Sequence, residues 1–591
     1  MCGIIAGNTK KSVAPFLVRG LKQLEYRGYD SSGAVVLQGN TFLRIRKIGP
    51  KNIDVLGADI EKNNEFKNAQ IGIAHTRWAT HGGVSVENAH PHVGPSGIIS
   101  IVHNGIIENY TELKKEIDAS KLTGQTDSEV IAHYFEKYMR VGELMKDSLH
   151  RMTPGVRGEW NVVILKNTGE LVAARHSGQI LIVGKSEEGV FVASDEQALP
   201  ESVQEICEIP YGYMCEIKND TIYFYDSKNK STLCISRPRV VFPVLIVEGE
   251  MMGTEIREQS NTLRALVRGA STQKEVLEKI YGALKDLTVR DIIITACGTS
   301  LNAGLCVTKE WEKIFQKPVS VIISSEMESV IRSLEHTVLI AISQSGSTQD
   351  VLDAIAHAQK MGVKHTIAIT NKKNSAIKEK SNIIFDVCAG PEFGVAASKT
   401  FTHTVLSLLV VSRSISKNDI EYMLPILKKY TEQVESSMSA WAQKIMHTQT
   451  ILYLGKHSLF PIAIEGALKL KEISYIHAES FAAGELKHGP IALVEKDVPV
   501  IVLVRRDASE ELVRGSVREV EARGAEVYVL AEEGVVLESI PNNRIVRVPK
   551  TGNLHQVFFA VPLQLLAYYT AKARGLDPDK PRNLAKSVTV K

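Results

Sequence analysis

The chain has 591 residues, 44% of them hydrophobic and 6% aromatic, and 70 basic against 67 acidic side chains leave a net charge of +3. Such a length exceeds a single hydrophobic core and predicts roughly three or four domains. The near-neutral, interspersed charge gives no electrostatic footprint for nucleic acid or a membrane surface, and seven scattered cysteines do not form a disulfide framework. A reducing, cytoplasmic setting is expected, and no basic-then-apolar leader precedes Cys2.

The chain opens Met1-Cys2-Gly3-Ile4-Ile5-Ala6-Gly7. Removal of the initiator methionine would place a thiol and a free α-amine on one residue, Cys2. Nucleophile and base would then share a terminus. A buried cysteine heading a strand is the plain alternative. Phe16–Leu24 is amphipathic, and Ile71–Ala74, Ile98–Val102, Val162–Leu165 and Phe191–Ser194 read as short strands. Segment 226–243 is polar, then carries Pro238 and Pro243, and reads as a linker.

Beyond about residue 285 apolar strands alternate with helical stretches, the pattern of βαβ units around a parallel sheet. The order occurs twice. Asp291–Ala296, Val338–Ile342 and Lys364–Thr370 are followed by Thr450–Leu454, Val498–Val504 and Ala525–Leu530. The offset of about 160 residues indicates two copies of one α/β domain. The apolar runs Thr404–Val411 and Val557–Tyr569 are too short or too interrupted to span a bilayer and read as buried helices.

Polar clusters carry the chemistry. In the first half they are Glu25-Tyr26-Arg27-Gly28, then His75-Thr76-Arg77-Trp78-Ala79-Thr80-His81-Gly82, His103-Asn104-Gly105, and Gln125-Thr126-Asp127-Ser128, which opens a helix running to about Met139. Taken singly, Asn-Gly is a tight turn, Thr126 or Asp127 an N-cap, and Arg27 and Arg77 surface ion pairs. His75, His81, His90, His92 and His103 show no metal-ligand spacing, so no metal is assigned. Together the clusters resemble the glutaminase domain of the N-terminal-nucleophile amidotransferases across most of residues 2–230. The resemblance implies that Cys2 attacks glutamine, with Asn104 and Gly105 forming the oxyanion hole. It implies that Arg77 and Asp127 hold the glutamine α-carboxylate and α-ammonium, with Arg27, Trp78, Thr80 and His81 completing the pocket.

In the second half Ser343-Gln344-Ser345-Gly346-Ser347-Thr348 joins a strand to the helix Asp350–Met361, and Cys297-Gly298-Thr299-Ser300 is a second such loop. Hydroxyls, glycine and helix N-terminal amides suit a phosphate. Equivalent loops at the carboxyl ends of one sheet strengthen that reading over a serine-rich cap. Glu465, Lys469 and Glu472 share a helix face, which by pattern alone is a solvated charged stripe. His488 lies before a Gly-Pro turn, and Lys586 lies in a tail.

This half resembles the paired sugar-isomerase domains of the glucosamine-6-phosphate synthase family, from about residue 250 to the end. The resemblance implies that Ser343, Gln344, Ser345 and Thr348 hold phosphate, while Cys297, Gly298, Thr299, Ser300, Val395 and Ala396 line the sugar. Ala397 stands where a hydroxyl residue belongs. Lys586 would form a Schiff base, His488 would assist ring opening, and Glu472 would move a proton between C1 and C2 beside Lys469.

The expected fold is α/β and α+β. An N-terminal-nucleophile glutaminase sandwich (residues 1–235) precedes a linker and leading helix (236–280). Sugar-isomerase domains follow at 281–420 and 440–575, with a tail at 576–591. The resemblance implies an amidotransferase that converts glutamine and fructose 6-phosphate to glutamate and glucosamine 6-phosphate. Ammonia would pass internally, with Trp78, Ala585 and Val588 along its path. No organic cofactor or metal is implied, and a homodimer without nucleic-acid or membrane partners is expected. The rivals are a sugar-phosphate-binding regulator, a phosphoribosyl amidotransferase, and a glutaminase whose isomerase half is degenerate.

Overall fold

The computed structural model describes residues 2–79, 81–218, 220–239, 250–372 and 375–586. Thr80 and Val588 therefore lie outside the described residues. The chain divides into two compact units, Met1–Pro243 with Ala585–Lys591, and Val244–Leu584.

The first unit is built on two antiparallel sheets. The strand Gly3–Thr9 lies inside an eight-stranded sheet, bonded to Gly189–Ala193 on one edge and Ile71–Arg77 on the other. A seven-stranded sheet contains Ile99–Ile107 paired with Gly158–Lys166. Alternation decides the layering. Ile4, Ala6, Val35 and Ile73 meet Val102, Val163 and Leu171 between the sheets. Ile5, Ala34 and Ala74 face outward onto Leu17 and Leu21 of the helix Ala14–Leu24. Ile99, Ile101 and Val162 pack on Val130 and Phe135 of the helix Asp127–Tyr138. The order is helix, sheet, sheet, helix.

Two local readings of this half change. Asn104-Gly105 does not turn the chain. It lies within the strand Ile99–Ile107, opposite Asn161 and Trp160. The segment read as a linker from residue 226 carries the strand Ser236–Pro238, which pairs with Glu205–Glu208 at the end of the eight-stranded sheet. Pro238 is tolerated because an edge strand leaves one side without ladder bonds.

The second unit contains two five-stranded parallel sheets with the same strand order. In the first, Val319–Ile323, Asp291–Ala296, Thr337–Ser343, His365–Thr370 and Ile383–Asp386 are neighbours. In the second they are His477–Ala482, Thr450–Gly455, Pro499–Val504, Glu526–Glu532 and Ile545–Val548. Both faces of each sheet are covered, as parallel sheets require. One continuous core joins Ile292 and Ile340 to Tyr453 and Leu503 through four helices, Lys399–Val411, Lys417–Ile445, Phe460–Ser474 and His555–Ala573. The helix His555–Ala573 is apolar nearly all round, and neighbouring helices enclose it. Among the described residues no helix is long and apolar enough to cross a membrane.

Candidate active sites

In the first unit the β-ladder sets the position of Cys2. Cys2 heads the strand Gly3–Thr9, with Gly3 opposite Thr76. Its Sγ therefore meets the end of the strand Ile71–Arg77, where the Trp78 N–H donates to it over 3.4 Å. Burial pushes the Cys2 thiol above its ordinary value.

Asn104 reaches the same place from the other sheet. Its Nδ2 donates to the Cys2 carbonyl at 3.0 Å and to Gln179 Oε1 at 3.3 Å. Gly105 has φ of +125°, and a Cβ there would be driven into the Glu159 carbonyl. Glycine is required there because of both the backbone conformation and the close approach.

Asp127 begins the helix Asp127–Tyr138 under a Thr126 cap, whose hydroxyl accepts the Glu129 N–H at 3.1 Å. The Asp127 carboxylate is 4% exposed and accepts the N–H of Ile107 and of Ser128, both at 2.9 Å. Arg77 donates to the carbonyls of His81, Gly82 and Gly83 at 2.5, 3.1 and 3.2 Å. Burial lowers its guanidinium, while the Cys2, Asp127 and Asp30 charges oppose that shift. His81 Nδ1 accepts the Asp127 N–H at 3.2 Å, and the Trp78 ring packs edge-on against Tyr29. Thus Cys2, Arg77, Trp78, His81, Asn104, Gly105 and Asp127 share one bonded neighbourhood with a positive fork and a buried carboxylate.

Arg27 is not a surface ion pair. It is 5% exposed, and its Nη2 bonds Asp195 Oδ2 at 2.9 Å while Tyr26 shares that carboxylate oxygen at 2.8 Å. Asp195 escaped the sequence reading because it stands 168 positions away with no motif around it. Four of the five histidines, His75, His90, His92 and His103, are buried together, with His75 and His90 stacked 4.0 Å apart. Burial lowers all four, His75 to about 3.

In the second unit the strand Thr337–Ser343 delivers Ser343 to a tight loop before the helix Gln349–Lys360. Ser343 Oγ accepts the Gly346 N–H at 3.0 Å and lies 2.9 Å from Thr348 Oγ1. Gly346 takes φ of +62°. Ser345 Oγ accepts the Ser347 N–H at 3.2 Å, and the Gln344 carbonyl accepts from Asn371 at 3.3 Å. The loop thus gathers these hydroxyls just before the N-terminus of that helix.

The strand Asp291–Ala296 leads through Cys297 into the helix Gly298–Leu305, which also carries Thr299 and Ser300. Thr299 Oγ1 donates to Glu465 Oε1 at 3.0 Å, and Asn302 Nδ2 to Glu465 Oε2 at 2.8 Å. Lys469 Nζ lies 3.6 Å from Glu465 and 2.5 Å from Glu472. The charged stripe of the helix Phe460–Ser474 is therefore no solvated face. Glu465 is 2% and Lys469 1% exposed, because the face packs against the first sheet's helix. Burial, opposed by Lys469, raises Glu465 to about 7. Burial lowers Lys469, but the two glutamates outweigh it and hold the ammonium above its usual range. A carboxyl poised between charge states beside a fixed cation suits proton transfer. Glu465 and Asn302 were not among the residues singled out for the site, although the i, i+4 spacing to Lys469 carried the signal for Glu465.

Val395 and Ala396 are buried in the loop before the helix Lys399–Val411, and the Val395 N–H donates to the Asp579 carbonyl at 3.2 Å. His488 ends a short 3-10 turn and is exposed. Lys586, half-buried, closes the described chain and groups with the first unit.

Family comparisons divide the chain in the same way. The glutamine amidotransferase domain matches residues 75–201, and the SIS domain matches residues 288–412 and 444–573. The glutamine–fructose-6-phosphate aminotransferase [isomerizing] of Xanthomonas campestris is 38% identical over the full length of both chains. The enzyme of that name from Escherichia coli is 38% identical, also over both full lengths. A solved C-terminal domain of glucosamine-fructose-6-phosphate aminotransferase from Francisella tularensis is 31% identical, with a TM-score of 0.50. It covers 56% of this chain and 98% of its own.

Proposed function

The chain belongs to the glutamine–fructose-6-phosphate aminotransferase [isomerizing] family, and on that premise we propose that it moves the amide nitrogen of glutamine onto fructose 6-phosphate. The products are glutamate and glucosamine 6-phosphate. The observation that carries this is full-length similarity at 38% identity, with glutaminase and paired sugar-isomerase segments in one order.

In this reading the Cys2 α-amine, free once Met1 is removed, takes the thiol proton as sulfur attacks the carbonyl carbon of the glutamine γ-carboxamide. Asn104 Nδ2 and the Gly105 N–H stabilise the oxyanion. The protonated amine then gives its proton to the leaving nitrogen, ammonia departs, and water cleaves the thioester to glutamate. Arg77 pairs with the substrate α-carboxylate as a planar fork, and Asp127 holds the α-ammonium. Trp78, Thr80 and His81 enclose the substrate, and Arg27 supports the site through Asp195.

At the sugar, Ser343, Gln344, Ser345 and Thr348 hold phosphate, while Cys297, Gly298, Thr299, Ser300, Val395 and Ala396 enclose the chain of carbons. His488 assists ring opening, and Lys586 forms an imine at C2 that ammonia displaces. Glu472 then carries the proton from C1 to C2, with Lys469 fixing its charge, and the C1 hydroxyl oxygen becomes the aldehyde. Ammonia reaches the sugar by an internal path that keeps it unprotonated, with Trp78, Ala585 and Val588 as its lining. The protein works as a homodimer in the cytoplasm, with domain limits near residues 235, 281, 420, 440 and 575 and a tail to 591.

The test uses full-length protein with Met1 cleaved, amide-labelled glutamine and fructose 6-phosphate. Label in hexosamine 6-phosphate supports the reading, and glutamate release without amino sugar overturns it. Borohydride should trap the sugar on Lys586, and an adduct on another lysine would remove that assignment.

A further inference from the structure

The orientation of the Asn104 carboxamide is determined by a chain of donors and acceptors that closes on one histidine. The Cys2 carbonyl can only accept, so the Asn104 atom 3.0 Å from it is the amide nitrogen. The amide oxygen then faces His75 Nε2 at 3.1 Å. The same ring nitrogen lies 2.9 Å from the His103 carbonyl oxygen, a second pure acceptor. Nε2 therefore carries the hydrogen. Nδ1 keeps a bare lone pair, buried without a hydrogen-bond partner among the described residues.

The ring has no room to turn. His75 is fully buried on the strand Ile71–Arg77, with His90 stacked on it at an interplanar angle of 13°. His90 is fixed in turn, because its Nδ1 accepts the His103 N–H at 3.2 Å. His103 immediately precedes Asn104, so ring stack and strand lock each other. Burial lowers His75 to about 3, so the ring is neutral where the enzyme works.

We propose that His75 is a positioning residue for glutamine hydrolysis: its Nε2–H grips the Asn104 oxygen and so presents the Asn104 N–H to the oxyanion formed at Cys2. Without that grip the carboxamide is held through Nδ2 alone, by the Cys2 carbonyl at 3.0 Å and Gln179 Oε1 at 3.3 Å, and an amide that rotates away from them sets an oxygen lone pair where negative charge develops. Such an amide repels the tetrahedral intermediate instead of stabilising it. The inference rests on the reading of Asn104 as an oxyanion donor.

Three variants of the full chain separate the possibilities. His75→Leu removes the donor, His75→Gln retains an N–H donor, and Asn104→Ala removes the oxyanion donor itself. H75L should lose about 10²-fold or more in kcat for glutamine hydrolysis, the range for a lost oxyanion donor, with KM for glutamine within about threefold. H75Q should recover at least about tenfold of that loss. Affinity for glutamate γ-semialdehyde, which Cys2 captures as a tetrahedral adduct, should fall in step with kcat, while affinity for glutamate should hold.

Wild-type kcat in H75L, equal defects in H75L and H75Q, or unchanged semialdehyde affinity would each overturn the inference. Wild-type kcat in N104A would instead overturn the oxyanion reading beneath it. Selective ¹⁵N-histidine labelling of the wild-type chain gives a check that needs no variant. A neutral Nε2–H ring from pH 5 to 8 is expected, and an Nδ1–H tautomer or a charged ring would refute the proposal.

Discussion

Lys469 places its ammonium 3.6 Å from Glu465 and 2.5 Å from Glu472, and the Lys469 side chain is 1% exposed. A cation so deep is held by two carboxylates that are themselves separated by two helical turns. Removing it strands Glu465, whose remaining partners Thr299 and Asn302 donate hydrogen bonds but bring no charge.

Lys469→Met should therefore destabilise the second unit by about 3–5 kcal/mol, the cost of leaving a buried charge unpaired. Adding Glu465→Gln to that variant should restore a large part of the loss, because the orphaned charge is gone. Urea midpoints of the three proteins measure this. Additive losses would mean that the two residues are not coupled.

Glu465 also gives a pH signature. Its carboxyl titrates near 7 in the folded chain against 4.5 for an unperturbed glutamate. Between those values the unfolded chain binds fewer protons at this group than the native one, so this group's contribution to stability falls as pH rises, then levels. Glu465→Gln should abolish that decline. The measurement is the denaturant midpoint of both proteins from pH 4.5 to 7.5. Parallel curves would show that the carboxyl is not raised.

Gly105→Ala forces a side chain into a left-handed conformation against the Glu159 carbonyl. The local backbone should shift, with a cost of about 1–3 kcal/mol. Glutaminase activity should drop sharply while fructose 6-phosphate isomerisation continues. Equal loss of both activities in steady-state assays would show that the two chemistries are not separable.

Ser343→Ala removes the acceptor of the Gly346 N–H and the partner of Thr348. One net hydrogen bond of roughly 1–1.5 kcal/mol corresponds to about a tenfold rise in KM for fructose 6-phosphate. Glutamine KM should not move. An unchanged sugar KM would remove Ser343 from the phosphate loop.

The parallel sheets were legible because strands covered on both faces are continuous apolar runs, as in Asp291–Ala296 and Thr450–Gly455. The family resemblance at the first half was legible from short, dense motifs such as Arg77–Gly82. The buried state of Glu465 and Lys469 was not. A charged i, i+4 stripe looks the same on a helix whether water or a neighbouring helix lies opposite. Asn104-Gly105 was open to a turn reading because Asn-Gly is the commonest hairpin signal, while the glycine here admits a neighbouring strand instead. The Arg27–Asp195 pair links positions 168 apart, a separation that local pattern cannot bridge.

The strand that starts at Gly3 is bonded along both edges, with Gly189–Ala193 and with Ile71–Arg77. Displacing the main chain next to Cys2 would mean opening the ladder that begins at Gly3 and Thr76, so the backbone that carries the thiol is anchored from its first neighbour onward. Whatever admits glutamine and releases glutamate has to be accomplished by the surrounding segments. Inhibitors that capture this thiol should therefore meet the same main-chain anchor in every functional state, and differences in their rates would report on access, sulfur rotation and thiol ionisation.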